Sequence, residues 1–279
     1  MNEFPRTIVG GLSLPRLIVG TNWFLGYSHT SLAKDKFITD YHTRQKISAV
    51  LATFLNRSID AVMGPPSDLL EAAIQDAEQR AGKRMIRIIT PAFNITPGGD
   101  AANDAQVMLD RCKEKLHATF CMPHQMVTDA LLDRMSGEIR NLEIYTRMIR
   151  ERGMIPGLST HMPETVVYAD RMQVDVETYI QIYNAAGFLM QVEADWVMRI
   201  IQNAHKPVMT IKPLAAGRLL PVVGLSFVWS TIRPQDMVTI GTNTPEEAEE
   251  VIDISLALLE KRNPDFELQR TRSKQSLGS

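Results

Sequence analysis

Eight times along the 279 residues a short apolar run leads into a segment with helical spacing, at a repeat of roughly 30 residues. The runs are Leu17 to Gly20, Ser58 to Met63, Met85 to Ile89, Leu116 to Cys121, Met154 to Leu158, Val176 to Ile182, Pro207 to Ile211 and Met237 to Ile240. Between them the helical signals are specific. Ile47, Val50, Leu51 and Phe54 fall on one face of a segment from Asp40 to Asn56. Ser67 reads as the cap of a helix over 68–81 that Gly82 ends, and Thr244-Pro245-Glu246-Glu247 as the entry to the last helix, over 244–260. Further helices are predicted over 100–115, 163–171, 192–204 and 222–232, and Thr128 to Arg152 reads as helical with a break near Gly137. Strands alternating with helices imply a parallel α/β sheet, and eight such units close naturally into a (β/α)8 TIM barrel. Thr7-Ile8-Val9 and Leu12-Ser13-Leu14, flanking Gly10-Gly11, predict an N-terminal β-hairpin before the first barrel strand. A doubly wound open sheet is disfavoured, because no GxGxxG follows the first strand. No linker divides the chain: residues 1–262 read as one barrel domain, and 263–279 as a polar tail.

Bulk properties narrow the partners. A net charge of −2 gives no electrostatic reason to expect nucleic acid or an anionic membrane. No apolar stretch approaches the length of a membrane span, and the first residues lack the basic and apolar regions of a secretory signal. Two cysteines, Cys112 and Cys121, make neither a disulfide framework nor a four-thiolate metal site, so a reducing, cytoplasmic setting is expected. The expected partner is a small molecule.

In a barrel of this kind the reacting groups stand where the strands end and the following loops begin. That rule selects Asn22 and Trp23, Asp60, Thr90 and Asn94, Cys121 and His124, Ser159 and His161, Tyr183 and Asn184, Lys212, and Thr242 and Asn243. Asp60 is a carboxylate inside an apolar run, so its charge needs a partner or a use, and Lys212 is one candidate partner. Lys212 itself reads as an anion partner or a Schiff-base lysine. Cys121 reads as a small core residue. A metal set of Asp60, His124 and His161 has no supporting local spacing, and no metal is expected. The glycine turns at Gly217 and at Gly241 to Glu246 present backbone N–H groups suited to an anion, phosphate above all.

The same stretches, in order, resemble the aldo/keto reductase superfamily. The hairpin is similar to the family's barrel plug, Ile59-Asp60-Ala61 to its "DTA", and Pro123-His124 to its strand-four histidine. Gly157 to Glu164, GLSTHMPE, resembles its "GvSxHxpe", and Gln181-Ile182-Tyr183-Asn184 its "QxxYN". Lys212 to Gly217, KPLAAG, resembles "KPLxxG", and Ile240 to Glu246 the "iPGtsspe" helix entry. The resemblance implies a tetrad of Asp, Tyr, Lys and His with NADPH as hydride donor. Asp60 and His124 take two of those places, whereas Met63 and Pro91 stand where the Tyr and Lys are expected. Ala248, Glu249 and Glu250 occupy the turn where an arginine meets the adenosine phosphate, and acidic residues there oppose a 2′-phosphate.

The expectation is therefore a barrel of this type that is not a conventional reductase. It binds a small polar or phosphorylated ligand, with Asp60, His124 and Lys212 as acid/base or orienting groups in isomerase- or lyase-type chemistry. The resemblance leaves a second reading, an NADPH- or NADH-dependent oxidoreductase with an altered proton donor, in which Ser159, Gln181 and Tyr183 hold the nicotinamide. A third is a ligand-sensing or accessory protein without turnover.

Overall fold

The computed structural model describes residues 3–95, 101–265 and Lys274; most of the tail beyond residue 262 therefore lies outside the described residues. The N-terminal hairpin pairs β1 (Arg6–Val9) antiparallel with β2 (Leu12–Pro15). The barrel strands follow: β3 (Leu17–Gly20), β4 (Ala61–Gly64), β5 (Ile86–Ile89) and β6 (Phe120–Cys121). After them come a two-residue pair β7 (Leu132–Asp133) and β8 (Glu138–Ile139), then β9 (Ile155–Pro156), β10 (Leu158–Thr160), β11 (Tyr179–Ile182), β12 (Val208–Ile211) and β13 (Met237–Ile240). Helices α1 (Leu32–Tyr41), α2 (Arg44–Asn56), α3 (Asp68–Ala81), α4 (Ala101–Glu114), α5 (Gln125–Thr128) and α6 (Leu142–Glu151) cover the first half. Helices α7 (Glu164–Met172), α8 (Ala194–Asn203), α9 (Pro221–Thr231) and α10 (Pro245–Leu259) cover the second.

All neighbours in the large sheet are parallel, in the order β10-β11-β12-β13-β3-β4-β5-β6-β9. The two ends of that order are halves of one strand, separated only by Gly157, so the sheet closes into the predicted eight-stranded barrel. A Cβ at Gly157 would lie 2.6 Å from Met122 Cε and 2.9 Å from the Thr178 carbonyl oxygen. The closing strand needs a glycine there because its neighbours leave no room for a side chain.

Two layers of core follow from strand alternation. Ile18, Ala61, Ile88, Phe120, Met122, Ile180, Met209 and Met237 fill the barrel interior, with Val9 and Leu14 of the hairpin packed into the same cluster. A larger cluster between sheet and helices includes Ile47, Val50, Leu51 and Phe54 of α2, the face predicted from their spacing. The caps are as predicted at two helices. Ser67 Oγ accepts from Leu70 N at 3.2 Å, and Thr244 Oγ1 from Glu247 N at 3.2 Å. Gly82 ends α3 in the left-handed conformation.

Two segments differ from expectation. Helix α1 precedes α2 as a separate element, capped by Ser31. The stretch from Thr128 to Arg152 is not one broken helix: it folds as a short turn, the β7/β8 hairpin and then α6. Gly137 takes φ +70°, and its N–H donates to the Asp133 carbonyl at 2.7 Å.

The hairpin also corrects the reading of Asp60. That residue precedes β4, at the N-terminal end of the barrel, and its carboxylate is held by Arg6 of β1, from Nη1 at 2.9 Å and Nη2 at 3.2 Å. Its partner is Arg6 and not Lys212, and it fixes the plug to the barrel. Because the pair is part-exposed, Asp60→Asn is expected to lower unfolding stability by about 1 kcal/mol or less. Ligand binding at the other mouth should be unchanged. A loss of ligand affinity in that variant, read by titration calorimetry, would return Asp60 to the site.

Candidate functional site

At the C-terminal mouth the strand ends enclose a cavity of about 840 Å³. Its apolar floor includes Met63, Ile180 and Ile211. Of the residues selected by sequence, His124, Lys212, Asn22, Trp23, Thr90, Ser159, His161, Gly217, Gly241, Thr242 and Asn243 all line it. The barrel topology brings them together from loops as far apart in the chain as those of Asn22 and Asn243. Gly241 is required where it stands: a Cβ would sit 2.7 Å from Trp23 Cδ1, so only a glycine lets the indole lie against this loop.

Six of the named residues do not line the cavity. Asp60 lies at the opposite end. Tyr183 is buried in the helix–sheet layer, tilted against Phe227, with its hydroxyl 2.9 Å from Thr231 Oγ1. Asn184 is buried too, and closes its own loop: Oδ1 accepts from Phe188 N at 2.9 Å and Nδ2 donates to Phe188 O at 3.0 Å. Gln181 is buried in β11 outside the cavity lining, its Oε1 without a hydrogen-bond partner among the described residues. Asn94 also lies off the lining, with its N–H bonded to Asp104. Cys121 is a core residue as expected; burial pushes its thiol well up.

The chemistry concentrates on one cation and three imidazoles. Lys212 takes a left-handed backbone, φ +61°, between β12 and Pro213. Its Nζ lies 2.6 Å from Nε2 of His29. His29 comes from the loop after β3, a residue the sequence rule missed, and its Nε2 also lies 3.4 Å from Asn22 Nδ2. Burial lowers the Lys212 amine to about 8. Among the described residues no carboxylate lies within ion-pair distance of it. The imidazoles are all depressed. Burial, then Lys212, His124 and His29 take His161 down to about 4. Burial and then Lys212 lower His124. For His29, burial and Lys212 outweigh the opposing attraction of Asp35. At neutral pH the site therefore holds neutral imidazoles around one amine.

His124 caps the short turn α5: its Nδ1 accepts from Met126 N at 3.3 Å. That bond assigns the ring proton to Nε2, which is left to donate elsewhere. The His161 backbone N–H donates to the half-buried Asp129 at 3.1 Å, which fixes the residue beside the cavity. With Asp60 at the other mouth, the carboxylate–imidazole metal set is not assembled. Among the described residues no group of three or more His, Cys, Asp or Glu side chains is arranged to hold a metal ion.

Two expected binding elements fare differently. The start of α10 already carries its own anion: Glu247 accepts from Asn243 N at 2.7 Å and from Asn243 Nδ2 at 3.2 Å. An incoming phosphate would meet that carboxylate and Glu250, which both line the same wall. The helix start is thus corrected as an anion seat, and positive charge lies instead at Lys212. The nicotinamide set also fits poorly, because Gln181 and Tyr183 are buried and, unlike Ser159, do not line the cavity.

No family model matches the chain, and no curated protein matches its sequence. Solved structures do match by shape. A candidate aldo-keto reductase from Pseudomonas aeruginosa superposes with TM-score 0.67 at 16% identity, covering 93% of this chain and 99% of its own. An aldose reductase from Giardia lamblia gives 0.56 at 10% identity, over 99% and 92%. An orotidine 5′-monophosphate decarboxylase from Methanocaldococcus jannaschii gives 0.52 at 14% identity, over 86% and 98%. The chain thus has an aldo-keto reductase-like (β/α)8 barrel fold, one that also accommodates a decarboxylase. No helix among the described residues is long and apolar enough to cross a membrane.

Proposed function

We propose that this barrel binds a small anionic metabolite at its C-terminal mouth and moves a proton on it. Lys212 supplies the counter-charge, and His124 and His161 handle the proton. The isolation of Lys212 carries this reading. A cation over an apolar floor, without a carboxylate in reach among the described residues, is costly until an anion joins it. Neutral imidazoles beside it accept a proton near neutral pH without a prior change of charge state, and return it once charged. Isomerisation or lyase chemistry uses such groups; hydride transfer also needs a cofactor grip. Met63 and Pro91 stand where the resemblance expects a phenol and an amine, which supports a chemistry other than hydride transfer. The fold by itself does not choose between chemistries.

A dinucleotide-dependent reading is favoured by one observation, the size of the cavity, with Ser159 and the Gly217 and Gly241 loops on its wall. The buried Gln181 and Tyr183 and the carboxylates of Glu247 and Glu250 weigh against it. A sensing role would share the binding step and lack the turnover.

The experiment is a pair of titrations. Small carboxylates and sugar phosphates are screened by thermal shift, and NADPH and NADH by nicotinamide fluorescence. An anion should raise the melting temperature, and Lys212→Met should weaken its binding about tenfold or more, as loss of a charged hydrogen bond does. Tight, saturable binding of either dinucleotide would overturn the reading.

A further inference from the structure

We propose that Lys212 is also a covalent group, one that captures the carbonyl of a small aldehyde or 2-oxo acid as a Schiff base, with His29 as its proton acceptor. The proposal rests on the anion-binding reading of the same cavity and names the substrate class for it. Its basis is geometric. The 2.6 Å contact between Lys212 Nζ and His29 Nε2 accommodates one proton between two nitrogens, not two. An ammonium at Lys212 donates to the imidazole lone pair, and transfer along that line leaves a free amine facing the cavity. The imidazolium formed is attracted by Asp35 on α1 and repelled by Arg218, whose Nη2 lies 3.5 Å from the His29 carbonyl oxygen. The apolar floor of Met63, Ile180 and Ile211 favours the uncharged amine, in the way desolvation activates nucleophilic lysines.

The step balances with these groups alone. His29 takes one ammonium proton. The Nζ lone pair forms the C–N bond, and the carbonyl π pair moves to oxygen, which receives a second proton from the nitrogen. The imidazolium of His29 returns its proton to the hydroxyl, which leaves as water, with His124 Nε2–H available to hydrogen-bond the departing oxygen. A protonated imine remains on Lys212, and His29 is neutral again. No oxidant or reductant enters.

Glyoxylate, a small aldehyde that carries its own carboxylate, is the probe. Full-length protein is incubated with it at pH 7 with sodium cyanoborohydride, which fixes the imine as a stable amine, and each lysine is followed by peptide mass mapping. Lys212 should be modified about tenfold or more faster than the exposed Lys36 and Lys115. His29→Gln, which keeps a polar side chain but takes no proton, should slow Lys212 alone by about tenfold. Equal or slower labelling of Lys212 overturns the proposal, and so does an unchanged rate in His29→Gln. Acetate separates the two readings: it has no carbonyl that can condense with an amine, so its thermal shift reads anion binding alone. If wild-type protein binds anions and Lys212 stays unlabelled, the covalent step falls alone; if anions do not bind at all, the binding reading falls first.

Discussion

Arg87→Met should destabilise the barrel by about 3–5 kcal/mol and lower its melting temperature by on the order of 10 °C. Arg87 stands on β5 with 5% of its surface exposed, facing Glu71 and Glu78 one heptad apart on α3, at 7% and 6%. Its guanidinium reaches Glu71 Oε1 at 2.9 Å and Glu78 Oε1 at 2.6 Å, and Glu78 also accepts from Met85 N at 2.8 Å. Burial alone would pull the guanidinium down and push the Glu78 carboxyl up; their mutual hydrogen bonds outweigh it in both cases. Removing the cation leaves two carboxylates in a space prepared for a fork between them, which is why the expected loss exceeds that of the exposed pairs elsewhere. Adding Glu71→Gln and Glu78→Gln to Arg87→Met should recover most of the loss, because the uncompensated charge is then gone. A single variant within about 1 kcal/mol of wild type in urea unfolding would mean that the carboxylates reach water, and the network would be incidental.

The parts of this molecule that were legible in sequence are those decided within one turn or one strand. Ser67 and Thr244 cap the helices assigned to them because a side-chain oxygen and the amide three residues on are local partners. The strand ends were found because an apolar run stops where the chain reaches the mouth. Helix α1 escaped because it has no apolar stripe: only Ile38 is buried, and Leu32 and Phe37 face outward. The β7/β8 hairpin escaped because its strands are two residues long, too short for alternation to register.

At the site the division is the same. Most residues selected on the loops after strands line the cavity, since the barrel sends such loops to one mouth; Asn94, Tyr183 and Asn184 do not. Asp60 was misplaced by a few residues of strand register. The run from Ser58 to Met63 puts it mid-strand, whereas β4 begins at Ala61 and Arg6, 54 residues back, claims its charge. Gln181 enters by resemblance, and Tyr183 and Asn184 by the strand-end rule as well; the structure buries all three, and none lines the cavity. His29 had a signal that went unused, its place in the loop after the first barrel strand. Its role depends on Lys212, 183 residues on, which no local pattern encodes.

Acid should expose the same cluster thermodynamically. Burial and the neighbouring Lys212 hold His161 down at about 4 in the folded chain, against an ordinary imidazole at 6.5, so the fold binds fewer protons than the unfolded state between those values. A depressed folded pKa means that its contribution is fully present above about pH 6.5 and is lost as pH falls toward 4. For His161 alone that amounts to about 2 kcal/mol by pH 5. His124, His29 and His42 shift in the same direction, chiefly by burial, and steepen the loss. Asp129, raised by burial, works the other way, since protonating it relieves the folded state as pH falls. Glu78 and Asp133, both held below the usual carboxylate range, give way only at lower pH, so the window from 6.5 to 5 belongs to the imidazoles. Urea midpoints at pH 7.5, 6 and 5 should therefore fall steeply for wild type and less steeply for His161→Gln. Parallel slopes would mean that His161 is open to water. A bound anion should reverse the trend, because negative charge beside Lys212 raises every imidazole pKa around it. Its stabilising effect should thus be larger at pH 5.5 than at pH 7.5, and that inversion ties the titration of the cluster to occupancy of the cavity.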